Sequence, residues 1–133
     1  IQEARVVMER LTREMRQGSL VTTATANQLS VVTNVNSAPC GGPASTDVQP
    51  CRVTYVCTGG QCTRSEANPD GAGASTPVVV VRGISTDPVF TYTPSAAAPD
   101  YVGVALEFPA REGDDSITLT DGVTMRNAMA PAS

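Results

Sequence analysis

Histidine, lysine and tryptophan are absent from this chain, and all nine basic residues are arginine. Without histidine the usual general base is missing, and no G-x-S-x-G, no H-E-x-x-H and no phosphate-binding glycine loop stands in its place. The expectation is therefore a protein that is not an enzyme and has no small-molecule substrate. Aromatics are scarce: Phe90, Phe108, Tyr55, Tyr92 and Tyr101 make up 4% of the residues. The core must then be built from Val, Ala, Leu and Ile, a palette that leans towards β-structure. No run approaches the about 18–20 apolar residues of a membrane-spanning helix, and no secretory leader is visible. A net charge of -4 argues against nucleic acid as a bulk electrostatic partner. The 133 residues are expected to form one domain, 1–133, with a modest core.

What is present begins at the N-terminus. In IQEARVVMERLTREMRQG, Ile1, Ala4, Met8, Leu11 and Met15 recur at helical spacing and form one apolar stripe, with Val7 on its edge. Arg5, Glu9, Arg13 and Arg16 run down the opposite face, with Glu9 placed to pair Arg13 one turn on. Gly18 offers a left-handed residue to end a helix over 1–18. The pattern starts abruptly, without an N-cap residue before Ile1. A lone amphipathic helix must bury its stripe on something, and the rest of the chain reads as strands.

The four cysteines, Cys40, Cys51, Cys57 and Cys62, are even in number and clustered, which favours disulfides and an oxidising compartment. In VTYVCTGGQCTRS, Gly59-Gly60 reads as a two-residue hairpin turn that sets Cys57 opposite Cys62. The expected Cα separation of about 4.5 Å at such a pair suits a disulfide. By elimination Cys40 would bond Cys51. A four-cysteine zinc site is the rival, although the intervening gaps of ten, five and four residues hold no C-x-x-C knuckle.

The remaining expectations follow in order. Residues 19–28 read as a connection. Leu29–Val35 is a strand with Leu29, Val31, Thr33 and Val35 on one face. Residues 36–50, with three prolines and two glycines, read as a loop. The hairpin takes 51–58 and 61–65, with Cys51, Val53, Tyr55 and Cys57 aligned, and 66–77 is a second loop. Val78–Val81 reads as a strand buried on both faces, with a bend at Gly83. In 89–93, Phe90 and Tyr92 share a face; in 102–108, Val102, Val104, Leu106 and Phe108 point inward. Residues 94–99 and 112–115 read as turns. Ile117 and Leu119 point inward from 117–120, Asp121-Gly122 turns, and a last strand covers 123–127 before a fraying tail. The fold class is α+β: a helix at 1–18 laid across about seven antiparallel strands within 29–127.

At this point the sequence resembles the type IV pilin-like proteins, most closely the J-type pseudopilins of type II secretion and the related minor pilins. ARVVMERLTREMRQ is similar to the helix that leads into their head domain, with Met8, Leu11, Arg13, Arg16 and Gln17 in the family's pattern. LSVVTNV, VTYVCTGGQCTRS, VVVVRGISTDPVFTYT and ITLTDGVTMRNA resemble successive head strands in the same order. The family's leader, its cleavage site, an early glutamate and the apolar half of the helix are not found here, and two disulfides are unusual for a J-type subunit. The resemblance implies a head without its anchor, from a membrane-anchored, extracytoplasmic or cell-surface subunit. Its partners would be other pilins or pseudopilins in a filament, with the membrane engaged only through the missing helix half. The implied function is structural: filament assembly, at the tip. The alternative is an adhesin-like or DNA-uptake head that uses the Cys40–Cys62 region to touch a ligand.

Three further groups of residues bear on chemistry. Asp114, Asp115 and Asp121 are the candidates for calcium, which some pseudopilin heads bind, but no D-x-D-x-D-G loop is present and solvated turns are the simpler expectation, so no cofactor is expected. Asp100 and Glu107 have no apolar setting that would make them an acid–base pair. Arg5, Glu9, Arg13 and Arg16 form the candidate subunit interface, a solvated face in isolation that could pair carboxylates of a neighbour. Open strand edges are the second candidate.

Overall fold

The structure, a computed structural model, describes residues 2–17, 20–37, 39–85, 89–93, 101–108 and 117–124. Ile1, Gly18, Asp100, Asp114 and Asp115 lie outside these residues, as do the expected turns at 94–99 and 112–115 and the chain beyond 124. Helix α1 (Gln2–Arg16) is followed by β1 (Leu20–Ala24), β2 (Gln28–Ser37), β3 (Ala44–Thr58), β4 (Gln61–Ala67), β5 (Val78–Arg82), β6 (Phe90–Thr93), β7 (Tyr101–Phe108) and β8 (Ile117–Thr124). Five strands form one antiparallel sheet in the order β1-β2-β3-β4-β5; the other three form a second, β6-β7-β8. The α+β plan therefore holds, with the helix packed on antiparallel sheets.

The helix buries Ala4, Val7, Met8, Leu11 and Met15, as its periodicity requires, and leaves Arg5, Glu9, Arg13 and Arg16 in solvent. Val7 is fully part of the stripe. Thr12 is also buried, and its hydroxyl donates to the Met8 and Glu9 carbonyls, so its polar atom is satisfied within the helix. The last turn closes by Gln17 N–H to Arg13 C=O. Among the described residues of this helix the ion pair is Arg10–Glu14 at 3.6 Å, in place of the expected Glu9–Arg13.

The large sheet is organised by β2 and β3. Leu29, Val31, Thr33 and Val35 are buried along β2, and Cys51, Val53, Tyr55 and Cys57 along β3, as period-2 alternation predicts. Gly59 and Gly60 both have positive φ, the requirement of a tight hairpin turn, and Cys57 sits directly opposite Cys62 with Cα atoms 4.0 Å apart. All four cysteines are in disulfides, Cys57–Cys62 and Cys40–Cys51, and none is left for zinc.

Several expectations are corrected. Residues 36–50 are mostly strand: β2 runs to Ser37 and β3 starts at Ala44, with Pro50 in register opposite Asn34. β4 pairs β3 only from Arg52 onward, so the earlier half of β3 has a free second edge, where a proline removes no ladder bond. Leu20–Ala24, expected as connection, is a short strand on the outer edge of β2, and β4 extends to Ala67. The valine run 78–81 is an edge strand: Val81 is fully buried, but Val78 is 63% exposed.

In the small sheet Phe90, Val102, Val104 and Leu106 are buried, Phe108 and Leu119 are half-buried against the core, and Ile117 is exposed. Asp121-Gly122 does not turn; β8 continues through it to Val123, with Gly122 opposite Gly103. The glycine leaves room for the Tyr101 ring, whose hydroxyl a Cβ at 122 would strike. The sheets are joined where Val89 and Phe90 N–H donate to Ala26 C=O and the Tyr92 hydroxyl donates to Thr25 and Gln28 C=O. Val7, Met8 and Leu11 meet Tyr55, Phe90 and Leu106 around an apolar gap of only about 10 Å³. One continuous core thus spans helix and both sheets.

Candidate functional site

Charged side chains converge at one place inside this framework, between the C-terminal half of α1 and the large sheet. Glu14 follows Val7 by one heptad, so it drifts only about 20° from that apolar row and enters the helix–sheet interface. Its side chain is 8% exposed. Arg64 and Glu66 alternate on the same face of β4, which the helix covers, and both are buried. Glu14 Oε2 accepts from Arg64 Nη2 at 2.5 Å, and Oε1 accepts from the Tyr55 hydroxyl at 2.5 Å and from Arg64 Nε at 3.5 Å. Arg64 Nη1 donates to Glu66 Oε2 at 2.7 Å. Glu66 Oε1 accepts from the Ser37 hydroxyl at 2.9 Å and the Gly41 N–H at 2.8 Å.

The Gly41 contact depends on a special backbone. Gly41 has φ +81°, and a Cβ there would meet Ser75 at 2.6 Å. Ser75 in turn exchanges bonds with the Glu66 backbone, its N–H to Glu66 C=O and the Glu66 N–H to its hydroxyl. The Cys40–Cys51 disulfide holds the neighbouring loop against β3, so a covalent link and a buried carboxylate fix the same corner.

Burial and pairing set the charge states here. Burial pushes the Tyr55 phenol far above its usual range, and the Glu14 carboxylate pushes it the same way. Burial works against the Arg64 charge, but the hydrogen bond and charge of Glu14 outweigh it and hold the guanidinium protonated. Burial likewise opposes ionisation of Glu66. The Arg64, Gly41 and Ser37 hydrogen bonds outweigh it and hold the carboxyl below its ordinary value. At neutral pH Tyr55 and Arg64 keep their protons and Glu66 stays ionised. The network ties a helix to a sheet through charge-assisted bonds.

Above it opens a polar cleft of about 540 Å³. Glu14, Arg64 and Glu66 form its floor; Arg10, Arg13 and Gln17 line the helix side, and Asn34 and Asn36 the β2 side. Of the expected interface residues only Arg13 reaches the cleft; Arg5, Glu9 and Arg16 stand exposed on α1 outside it. Asp121 is exposed, and among the described residues no group of three or more His, Cys, Asp or Glu side chains comes together as a metal site. The Cys40–Cys62 region is a disulfide-braced strand ladder rather than a free loop.

Sequence reasoning missed the floor of the cleft. Glu14 was readable as a charge lying one heptad from Val7. Nothing local marked Arg64 and Glu66, because alternation on β4 shows a shared face without telling which face the helix covers. No protein-family description, no characterised protein and no solved structure matches the chain.

Proposed function

We propose that this chain is the head of a type IV pilin-like filament subunit, a minor pilin or pseudopilin, and that its work is assembly at the filament tip. The observation that carries this reading is the mounting of the N-terminal helix. One face of α1 is packed into the core and clamped through Glu14, while Arg5, Val6, Glu9, Arg13 and Arg16 stay in solvent. Such a helix is rigidly fixed to its head and presents an arginine-rich face to whatever lies beside it. Guanidinium groups suit interfaces because they pair carboxylates bidentately and are weakly hydrated. Two disulfides fit an oxidising, extracytoplasmic setting, and the motif resemblance points the same way.

The test is genetic and structural. Deleting the gene in its native host should abolish or sharply reduce filament assembly or the secretion that depends on it. Complementation with Arg5→Glu/Arg16→Glu should fail, although the variant head folds with an unchanged melting temperature. Normal filaments and secretion in the deletion strain would overturn the reading.

A further inference from the structure

We propose that the cleft between α1 and β2 binds a carboxylate carried on an extended acidic segment of a neighbouring subunit, an inference that rests on the assembly role above. The hydrogen-bond inventory of the cleft carries it. Both floor carboxylates are already occupied: Glu14 accepts from Tyr55 and twice from Arg64, and Glu66 accepts from Ser37, Gly41 and Arg64. The guanidinium groups are not. Arg64 uses three of its five N–H donors, so two remain. Arg10 makes one long ion pair and is 44% exposed, and Arg13 is exposed at the rim. The unspent capacity of the site is thus to donate, and to donate from cations.

Charge narrows the ligand. Three arginines against two carboxylates leave the lining at +1, which matches a single carboxylate. A phosphate dianion would meet two fixed carboxylates, and a chain of net charge -4 repels a nucleic-acid backbone. The β2 wall indicates what carries the carboxylate. The side chains of Asn34 and Asn36 alternate with the inward Val35 and Ser37 and so leave the cleft, but among the described residues β1 pairs β2 only as far as Val32, so the outer edge of β2 beyond it is open to an extended segment. Backbone N–H and C=O groups along such an edge are what an extended peptide pairs with. A volume of about 540 Å³ is in the range of small-ligand sites and admits a short peptide segment.

The experiment uses the whole chain, isotopically labelled, with the arginine Nε–Hε resonances followed by NMR. Three probes are titrated: acetyl-Ala-Glu-Ala-amide, its Gln counterpart, and inorganic phosphate. The Glu peptide should shift Arg10, Arg13 and Arg64 and leave Arg5 and Arg16 unmoved. The Gln peptide should bind at least about tenfold more weakly, since the charge-assisted bonds are lost. Arg13→Ala should weaken the Glu peptide about fivefold while the melting temperature stays the same. No shift, equal binding of the Gln peptide, equal or tighter binding of phosphate, or equal shifts at Arg5 and Arg16 would each overturn the proposal. Because binding is read on the isolated chain, its failure is separate from a failure of the assembly role, which the deletion strain decides.

Discussion

Changing Glu14 to Gln isolates the contribution of the buried ion pair. The substitution keeps side-chain length and volume, and an amide oxygen can still accept from Tyr55. The amide nitrogen then meets Arg64 donor against donor, and Arg64, 8% exposed, is left with Glu66 as its counter-charge. Removing one partner of a buried pair costs about 3–5 kcal/mol. The surviving Glu66 pair and Tyr55 bond reduce this to about 2–3 kcal/mol. For 133 residues that is a fall in melting temperature of about 7–11 °C. The measurement is a denaturant titration at pH 7 under non-reducing conditions, followed by circular dichroism because the chain has no tryptophan. Glu9→Gln, on the exposed face, serves as the comparison and should change stability by less than about 0.5 kcal/mol. Combining Glu14→Gln with Arg64→Met should give a loss at least about 1 kcal/mol away from the sum of the single losses. If Glu14→Gln costs no more than Glu9→Gln, or the double variant is additive, the clamp does not hold the helix and the reasoning fails.

Stability should also follow pH in a defined way. Glu66 titrates below its ordinary value of 4.5, so the unfolded chain takes up that proton first, and stability falls as pH drops through and below 4.5. Glu66→Gln should flatten that acid limb in denaturant titrations at successive pH values, and an unchanged limb would contradict the pairing. At the alkaline end burial raises both Tyr55 and Tyr92 above their ordinary 10.0, so the unfolded chain loses those protons first and stability falls above pH about 10. With no histidine in the chain and all four cysteines in disulfides, the side-chain types that ordinarily titrate nearest neutrality contribute no pH dependence, and stability should be nearly level between. Finally, Val81→Ala should cost about 2 kcal/mol because the side chain is fully buried, and Val78→Ala, 63% exposed, less than about 0.5 kcal/mol. Equal costs would mean that β5 is buried on both faces after all.

Much of the fold was legible in the residues because it rests on local rules. Helical spacing located the stripe Ala4, Met8, Leu11 and Met15; period-2 alternation located the inward faces of β2, β3 and β7; and Gly59-Gly60 placed Cys57 opposite Cys62. Local rules failed wherever a neighbour decided the outcome. Proline density marked 36–50 as a loop, yet the free edge of β3 tolerates Pro50. Asp121-Gly122 carried a turn signal, yet Tyr101 needs a glycine beneath its ring. Val78–Val81 has the composition of a central strand, and only the strand order makes it an edge.

The site divides along the same line. The sequence by itself determined that α1 would have an apolar face to bury and a basic face to show, because both depend on one helical period. It also determined the hairpin disulfide, since a two-residue turn sets its own register. Only the tertiary structure decided that Glu14 would turn inward to Arg64, fifty residues away in the chain. A buried charge is tolerable only where its partners are already in place, and those partners come from β3 and β4. The cleft above them exists for the same reason: its walls belong to segments that meet only once the helix has docked.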